Sequence, residues 1–191
     1  MDLVFASNNE NKIKEIQLLM PKNFTILSLK DINCLVDIPE TESTIEGNAK
    51  LKANYVTQHF GYNCFADDSG LEVDALNGKP GVHSARFAGE QKNDDDNMNK
   101  LLQSLQFQEN RNANFKTVIA LNLNGNQNLF TGIIKGKITT EKFGENGFGY
   151  DPIFKANGYS KTFAQLSIEE KAIISHRGIA VKQLVNFLNT I

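Results

Sequence analysis

The chain has 191 residues with a formal net charge of −2. That length predicts one domain over residues 1–191, able to bury roughly 70% of its unfolded surface without disulfides or a structural metal. Charges of both signs are interspersed with no basic stripe, which argues against a nucleic-acid partner, and no apolar run approaches the length of a membrane span.

Leu3-Val4-Phe5-Ala6 reads as a short buried strand, followed by Ser7-Asn8-Asn9, a polar turn suited to capping a helix. Ile13, Ile16, Leu19 and Met20 recur at helical spacing until Pro21 ends the helix. Phe24 to Leu29 has strand character, and residues 30–43 are polar and irregular around Pro39-Glu40-Thr41-Glu42. A helix is expected from Thr44 to Phe60, then a strand at 64–66 and a turn at Asp67-Asp68-Ser69-Gly70. Glu72 to Leu76 reads as another short strand and Asn77 to Pro80 as a loop. Asn93-Asp94-Asp95-Asp96 opens a helix to Leu105, and acids in a first turn are favoured by the helix dipole without any metal. Phe115 to Leu123 alternates as a strand, and Asn124-Gly125 signals a hairpin into a second strand over 128–135. A glycine-rich loop follows at 144–149, then a capping box at Ser167 and Glu170, then a last helix from Ser175. The mixture of alternation, hairpin and helices predicts a mixed α/β sheet flanked by helices.

Asp67 to Leu71 admits two readings: a capped turn, or carboxylates at a strand end awaiting a divalent cation. Two cations stand on apolar helical stripes. Lys52 falls among Ile45, Ala49, Ala53, Val56 and Phe60, and Arg177 extends Val181, Leu184, Leu188 and Ile191 by one turn. A buried lysine or arginine needs a partner, although a lysine at the core edge also reaches solvent by snorkelling. Arg177 additionally stands at a helix N-terminus, where a cation opposes the dipole unless an anion joins it. The turn Ser7-Asn8-Asn9-Glu10-Asn11-Lys12 has the form of a phosphate cradle. Gly147-Phe148-Gly149-Tyr150-Asp151-Pro152 offers stacking rings and an acid on a backbone that a ligand can approach closely. The cysteines Cys34 and Cys64 form no Cys-x-x-Cys pair, which fits a reducing, cytoplasmic compartment. His59, His83 and His176 lack the spacing of a zinc site.

In order along the chain, Ser-x-Asn-x-x-Lys at 7–12, Ala-Asp-Asp-Ser-Gly-Leu at 66–71, Pro-Gly-Val-His-Ser-Ala-Arg at 80–86, Gly-Phe-Gly-Tyr-Asp-Pro at 147–152, and Lys171 with Ser-His-Arg at 175–177 resemble the inosine triphosphatase family of dITP/XTP pyrophosphatases. The related Maf-type pyrophosphatases fit less well. The resemblance implies hydrolysis of dITP, ITP and XTP to the monophosphate and pyrophosphate. It also implies Mg²⁺ dependence, a homodimer, and an elongated fold of two lobes with the nucleotide in a cleft between them. Residue by residue, it implies Asp68 as metal ligand and base for water, and Glu40 as the second metal carboxylate, with Glu42 two residues away. Ser7, Asn8, Asn9, Glu10, Asn11, Lys12, Lys52 and Ser69 would hold the triphosphate. Phe148, Gly149, Tyr150, Asp151, Lys171, His176 and Arg177 would hold the base, and without tryptophan the stacking ring is Phe148 or Tyr150. A binding module lacking turnover is the alternative from another class, and no Gly-x-Ser-x-Gly elbow supports a serine hydrolase.

Overall fold

The computed structural model describes residues 2–190. A seven-stranded mixed sheet runs in the order β2-β1-β3-β5-β6-β7, with β4 paired to β3. Its strands are β1 (Asp2–Phe5), β2 (Thr25–Leu27), β3 (Cys64–Val73), β4 (Pro80–Gly81), β5 (Asn112–Leu123), β6 (Asn126–Ile138) and β7 (Phe154–Ala156). The helices are α1 (Glu10–Leu19), α2 (Ile45–Phe60), α3 (Asp94–Ser104), α4 (Ile168–Ile174) and α5 (His176–Leu188). The mixed α/β class expected from the sequence is the class observed. None of the helices described is long and apolar enough to cross a membrane.

The chain divides into two compact units, the first built from residues 2–68, 117–132 and 177–190, the second from 69–116 and 133–176. In the first, β1 pairs in parallel with β2 and β3. The core here gathers Leu3, Phe5, Ile16, Phe65, Ile119, Leu121, Val181 and Leu184. Val181, Leu184 and Leu188 form the buried stripe expected of α5; Ile191, placed on that stripe by periodicity, lies outside the described residues. In the second unit, β4 pairs antiparallel with the end of β3, and β7 with the end of β6. Leu71, Leu101, Leu105, Phe115, Ile153, Phe154 and Phe163 lie in its core.

The capping signals were legible locally. Asn9 accepts hydrogen bonds from the backbone of Asn11 and Lys12 to start α1, Thr44 accepts from Gly47 to start α2, and Ser167 with Glu170 forms the capping box of α4. Asn124 and Gly125 both take positive φ, as a two-residue hairpin loop between β5 and β6 requires. Two expectations are overturned. Asp67-Asp68-Ser69-Gly70 is no turn: β3 runs unbroken from Cys64 to Val73, and residues 74–76 form a 3₁₀ turn where a short strand was expected. Asp and Ser favour turns because their side chains compete for the backbone, and Gly because it tolerates positive φ. Here the sheet ladder wins because cations meet both carboxylates.

Candidate active site

Adjacent residues of a strand point to opposite faces, so the continuity of β3 gives its two carboxylates different partners. Asp67, fully buried, faces Lys12 of α1 and Arg177 of α5: Lys12 Nζ lies 3.1 Å from Oδ1, and Arg177 Nε donates to Oδ2 at 3.1 Å. Arg177 is itself 1% exposed, and its Nη1 donates to Glu15 Oε2 at 2.5 Å. These two carboxylates are the anions that a cation at the start of α5 demands. Burial opposes the charge on Asp67, but Lys12, Arg177 and Lys52 outweigh it and hold its pKa well below the ordinary carboxylate range. Burial likewise opposes the Arg177 charge, and Asp67 and Glu15 overcome it, raising the pKa. For Lys12 burial prevails over Asp67, and the pKa falls.

Asp68 meets a second set of groups, also within the first unit. Lys52 Nζ lies 2.6 Å from Glu40 Oε1 and 3.8 Å from Asp68 Oδ1, and Asn48 Nδ2 donates to Asp68 Oδ2 at 3.3 Å. Lys52 is buried, so it is held by carboxylates and does not snorkel. Burial works against its charge, yet Asp68, Glu40 and Asp67 raise its pKa above the usual lysine value. Asp68 goes up: burial disfavours its charge more than Lys52 and Lys12 favour it, and Glu40 adds to the rise. A carboxylate with a raised pKa is the better proton acceptor.

The donors around Lys52 fit a hard divalent cation. Glu40 and Asp68 present carboxylate oxygens to one shared cation, and among the described residues no cluster of three or more His, Cys, Asp or Glu side chains forms a closed cage. Mg²⁺ is ordinarily held this way, by one or two carboxylates, with waters and substrate phosphates completing its shell. Glu42, the neighbouring acid, is exposed, and its backbone N–H donates to Asn48 Oδ1 at 2.9 Å.

The predicted cradle lies where β1 ends and α1 begins. Ser7 is half-buried and its Oγ accepts from Asn9 N at 3.2 Å, while Asn8, Asn9, Glu10 and Asn11 are exposed and Lys12 reaches inward. Ser69, next along β3 after Asp68, is half-buried at the start of the second unit.

The second unit gathers the other predicted residues. Lys171 Nζ lies 2.5 Å from Asp151 Oδ2, both side chains being buried, and that carboxylate oxygen also accepts from Phe148 N at 2.9 Å. The Lys171 ammonium stands 4.7 Å from the centre of the Phe148 ring. Gly147 has φ 77° and its missing side chain leaves room for the Asp151 carboxylate, so glycine is required there on both counts. Gly149 N donates to Asp94 Oδ2 at 2.7 Å. Phe148 is half-buried, whereas Tyr150 is buried with its hydroxyl donating to Ser84 O at 2.8 Å. Of the two aromatics, Phe148 is therefore the more exposed ring. His176 is buried and stacks on Phe115, ring centres 4.5 Å apart at 9°.

The structure thus assembles Lys12, Glu40, Lys52, Asp68 and Arg177 in the first unit, and Phe148, Gly149, Tyr150, Asp151, Lys171 and His176 in the second. Sequence reasoning missed Glu15, Asn48 and Asp94, and left Asp67 between a turn residue and a carboxylate awaiting a divalent cation, where the structure gives it Lys12 and Arg177. Two of these carried a signal. Asn48 stands three residues after Ile45 and four before Lys52, a polar residue on the inward stripe of α2. Glu15 is three residues past Lys12 on the helix that carries the cradle.

A family model described as the Ham1 family matches residues 3–187. A dITP/XTP pyrophosphatase of Flavobacterium johnsoniae is 68% identical over 188 residues, covering 98% of each chain. The solved structure of the Staphylococcus aureus Ham1 protein superposes with a TM-score of 0.91 at 43% identity, covering 100% of this chain and 99% of that one. A HAM1 protein from Coxiella burnetii gives a TM-score of 0.93 at 38% identity, with both chains fully covered. Sequence motifs, fold and overall similarity agree along the whole length, so the inosine triphosphatase resemblance holds and this chain belongs to the Ham1 family.

Proposed function

We propose that this protein hydrolyses dITP, ITP and XTP between the α- and β-phosphates, releasing the monophosphate and pyrophosphate and clearing such nucleotides from the pool. It is an enzyme of the class that its relatives' name describes, a dITP/XTP pyrophosphatase 68% identical along nearly the whole chain. The observation that carries the mechanism is Lys52, buried and shared by Glu40 and Asp68. Glu40 and Asp68 would hold Mg²⁺, which when bound supplies charge neutralisation at the phosphates and makes water a stronger nucleophile. Asp68, its pKa raised by burial, takes the proton of the attacking water. Lys52 and Lys12 offset the phosphate charge, and the Ser69 hydroxyl with the backbone N–H groups of residues 7–11 and the side chains of Ser7, Asn8, Asn9 and Asn11 adds donors, so that charge building up on the leaving pyrophosphate meets fixed donors; Glu10 joins this turn through its backbone.

At the other end of the substrate, Phe148 supplies the stacking face and Gly149 close backbone approach. Tyr150 and Asp151 shape and orient the loop. Lys171, His176 and Arg177 supply donors that a 6-oxo purine satisfies and a 6-amino purine leaves unpaired, a difference that a site built for it turns into strong discrimination. Two of the Arg177 nitrogens are held by Asp67 and Glu15. We further propose a cytoplasmic homodimer. Two free buried cysteines, Cys34 and Cys64, suit a reducing compartment.

Pyrophosphate release from dITP, XTP, dGTP, dATP and dTTP, with and without Mg²⁺, tests this reading. Release confined to dITP and XTP and dependent on Mg²⁺ is expected. Release chiefly from dTTP would shift the protein to Maf-type chemistry, and nucleotide binding without release from any of the five would leave a binding module.

A further inference from the structure

We infer that Asp94 is a positioning residue for base selection; the inference rests on the reading of Phe148 to Asp151 as the base subsite. Three successive residues of that loop are each anchored by a separate hydrogen bond. Phe148 N donates to Asp151 Oδ2 within the loop, and the Tyr150 hydroxyl donates to Ser84 O across 66 residues of sequence. Between them, Gly149 N donates to Asp94 Oδ2 at 2.7 Å, across 55 residues. Gly149 has no side chain and takes φ 62°, so its N–H is the handle by which the fold can grip it.

Asp94 is well placed to provide that grip. It opens α3, where an acid is stabilised by the helix dipole, and α3 is fixed to the core by Met98 and Leu101. A bond from a neutral N–H to a carboxylate is also about twice as strong as a neutral pair. The next two acids of the run do other work: Asp95 pairs with Lys142 at 2.5 Å, and Asp96 accepts from Gln91. The run Asp94-Asp95-Asp96 is therefore not one acidic cluster. Only its first member holds the loop, through the peptide that follows Phe148. Without that bond the Phe148–Gly149 peptide can rotate, and the Phe148 ring loses its fixed place under the Lys171 ammonium.

The test compares Asp94→Ala, Asp94→Asn, Asp95→Ala and Phe148→Ala by pyrophosphate release from dITP and dGTP, with urea melts as a check on folding. Asp94→Ala is expected to raise KM for dITP about tenfold, the worth of one bond to a charged group, with kcat within about twofold and a lower preference for dITP over dGTP. Asp94→Asn keeps an oxygen acceptor and is expected to return KM to within about threefold of the parent. Asp95→Ala removes an equivalent first-turn charge and is expected to leave KM unchanged. An Asp94→Ala protein with parental KM and preference, while Phe148→Ala raises KM, would overturn the inference and leave the base subsite standing. An equal effect of Asp95→Ala, or no recovery in Asp94→Asn, would also overturn it, by assigning the effect to helix charge. Parental KM in Phe148→Ala would overturn the base subsite, and the role of Asp94 with it.

Discussion

The ammonium of Lys52 lies 2.6 Å from Glu40 Oε1, joining the irregular segment before α2 to the strand that carries Asp68. Glu40 is thereby drawn from a polar, irregular segment into the charge cluster, whereas Glu42 is exposed. Their different settings give an asymmetric expectation. Glu40→Gln should lower kcat/KM by about a hundredfold and raise the Mg²⁺ concentration needed for half-maximal rate, as loss of a metal-orienting carboxylate does. Glu42→Gln should change neither by more than about twofold, as for an exposed side chain away from the chemistry. Measuring dITP dependence for each variant over a range of Mg²⁺ concentrations checks this, and equal effects of the two would sink the assignment of Glu40.

Arg177 bears on stability as directly as on function. Its guanidinium satisfies two buried carboxylates, Asp67 and Glu15. Replacing it by methionine preserves much of the volume but takes the guanidinium from two buried acids, Asp67 keeping the Lys12 ammonium. Breaking a buried pair from one side costs about 3–5 kcal/mol, and urea denaturation of Arg177→Met should show a loss in that range. Adding Glu15→Gln should recover part of it, because one of the two buried charges that faced the guanidinium is gone. A single-variant loss below about 1 kcal/mol, the size of an exposed pair, would show that the cluster does not hold the first unit together.

Those two clusters also mark where sequence was sufficient. Caps, the Asn124-Gly125 hairpin and the stripes of α2 and α5 follow from local chemistry, and local chemistry is visible in order along the chain. Lys52 and Arg177 could be singled out because a cation on an apolar stripe contradicts its surroundings. Their partners could not be named, since Glu15 and Asp67 are separated from Arg177 by 162 and 110 residues. The same gap produced the error at Asp67 to Gly70. Composition there specifies a turn, and only cations delivered by α1, α2 and α5 make a strand through two carboxylates affordable in free energy. In sequence Asp94 reads as a helix-dipole residue, which it is, and its bond to Gly149 belongs to tertiary structure alone.

Lys171 supports Asp151 in the second unit as Arg177 supports Asp67 in the first. Its ammonium is 2.5 Å from Asp151 Oδ2, the oxygen that also receives Phe148 N. Lys171→Met should therefore disturb the loop as well as remove a donor to the base. The expected result is a KM for dITP raised by at least about tenfold, the scale for a charge-assisted bond, together with a lower urea midpoint. Lys171→Arg keeps the charge but offers a planar fork to a site shaped around a point charge. It should restore the midpoint more than the KM. Recovery of both to parental values would show that charge alone matters at this position.

Tyr150 gives a prediction in pH. Its hydroxyl is buried and donates to Ser84 O, and burial, followed by the nearby Asp94 carboxylate, pushes its pKa upward. The folded protein therefore keeps this proton at pH values where the unfolded chain, with a tyrosine pKa of about 10, gives it up. A raised folded pKa contributes stability that is fully present below the unfolded value and is lost as pH climbs above it. Tyr150→Phe keeps the ring and removes both the hydrogen bond and this linkage. At pH 8 the variant should be less stable by about 1 kcal/mol, the net worth of one hydrogen bond. Between about pH 9 and 11 the difference from the parent should shrink, because only the parent has a Tyr150 proton to lose on unfolding. Urea melts of both proteins across that interval measure it, and a difference that stays constant would mean that Tyr150 ionises in the folded state as readily as in the unfolded one.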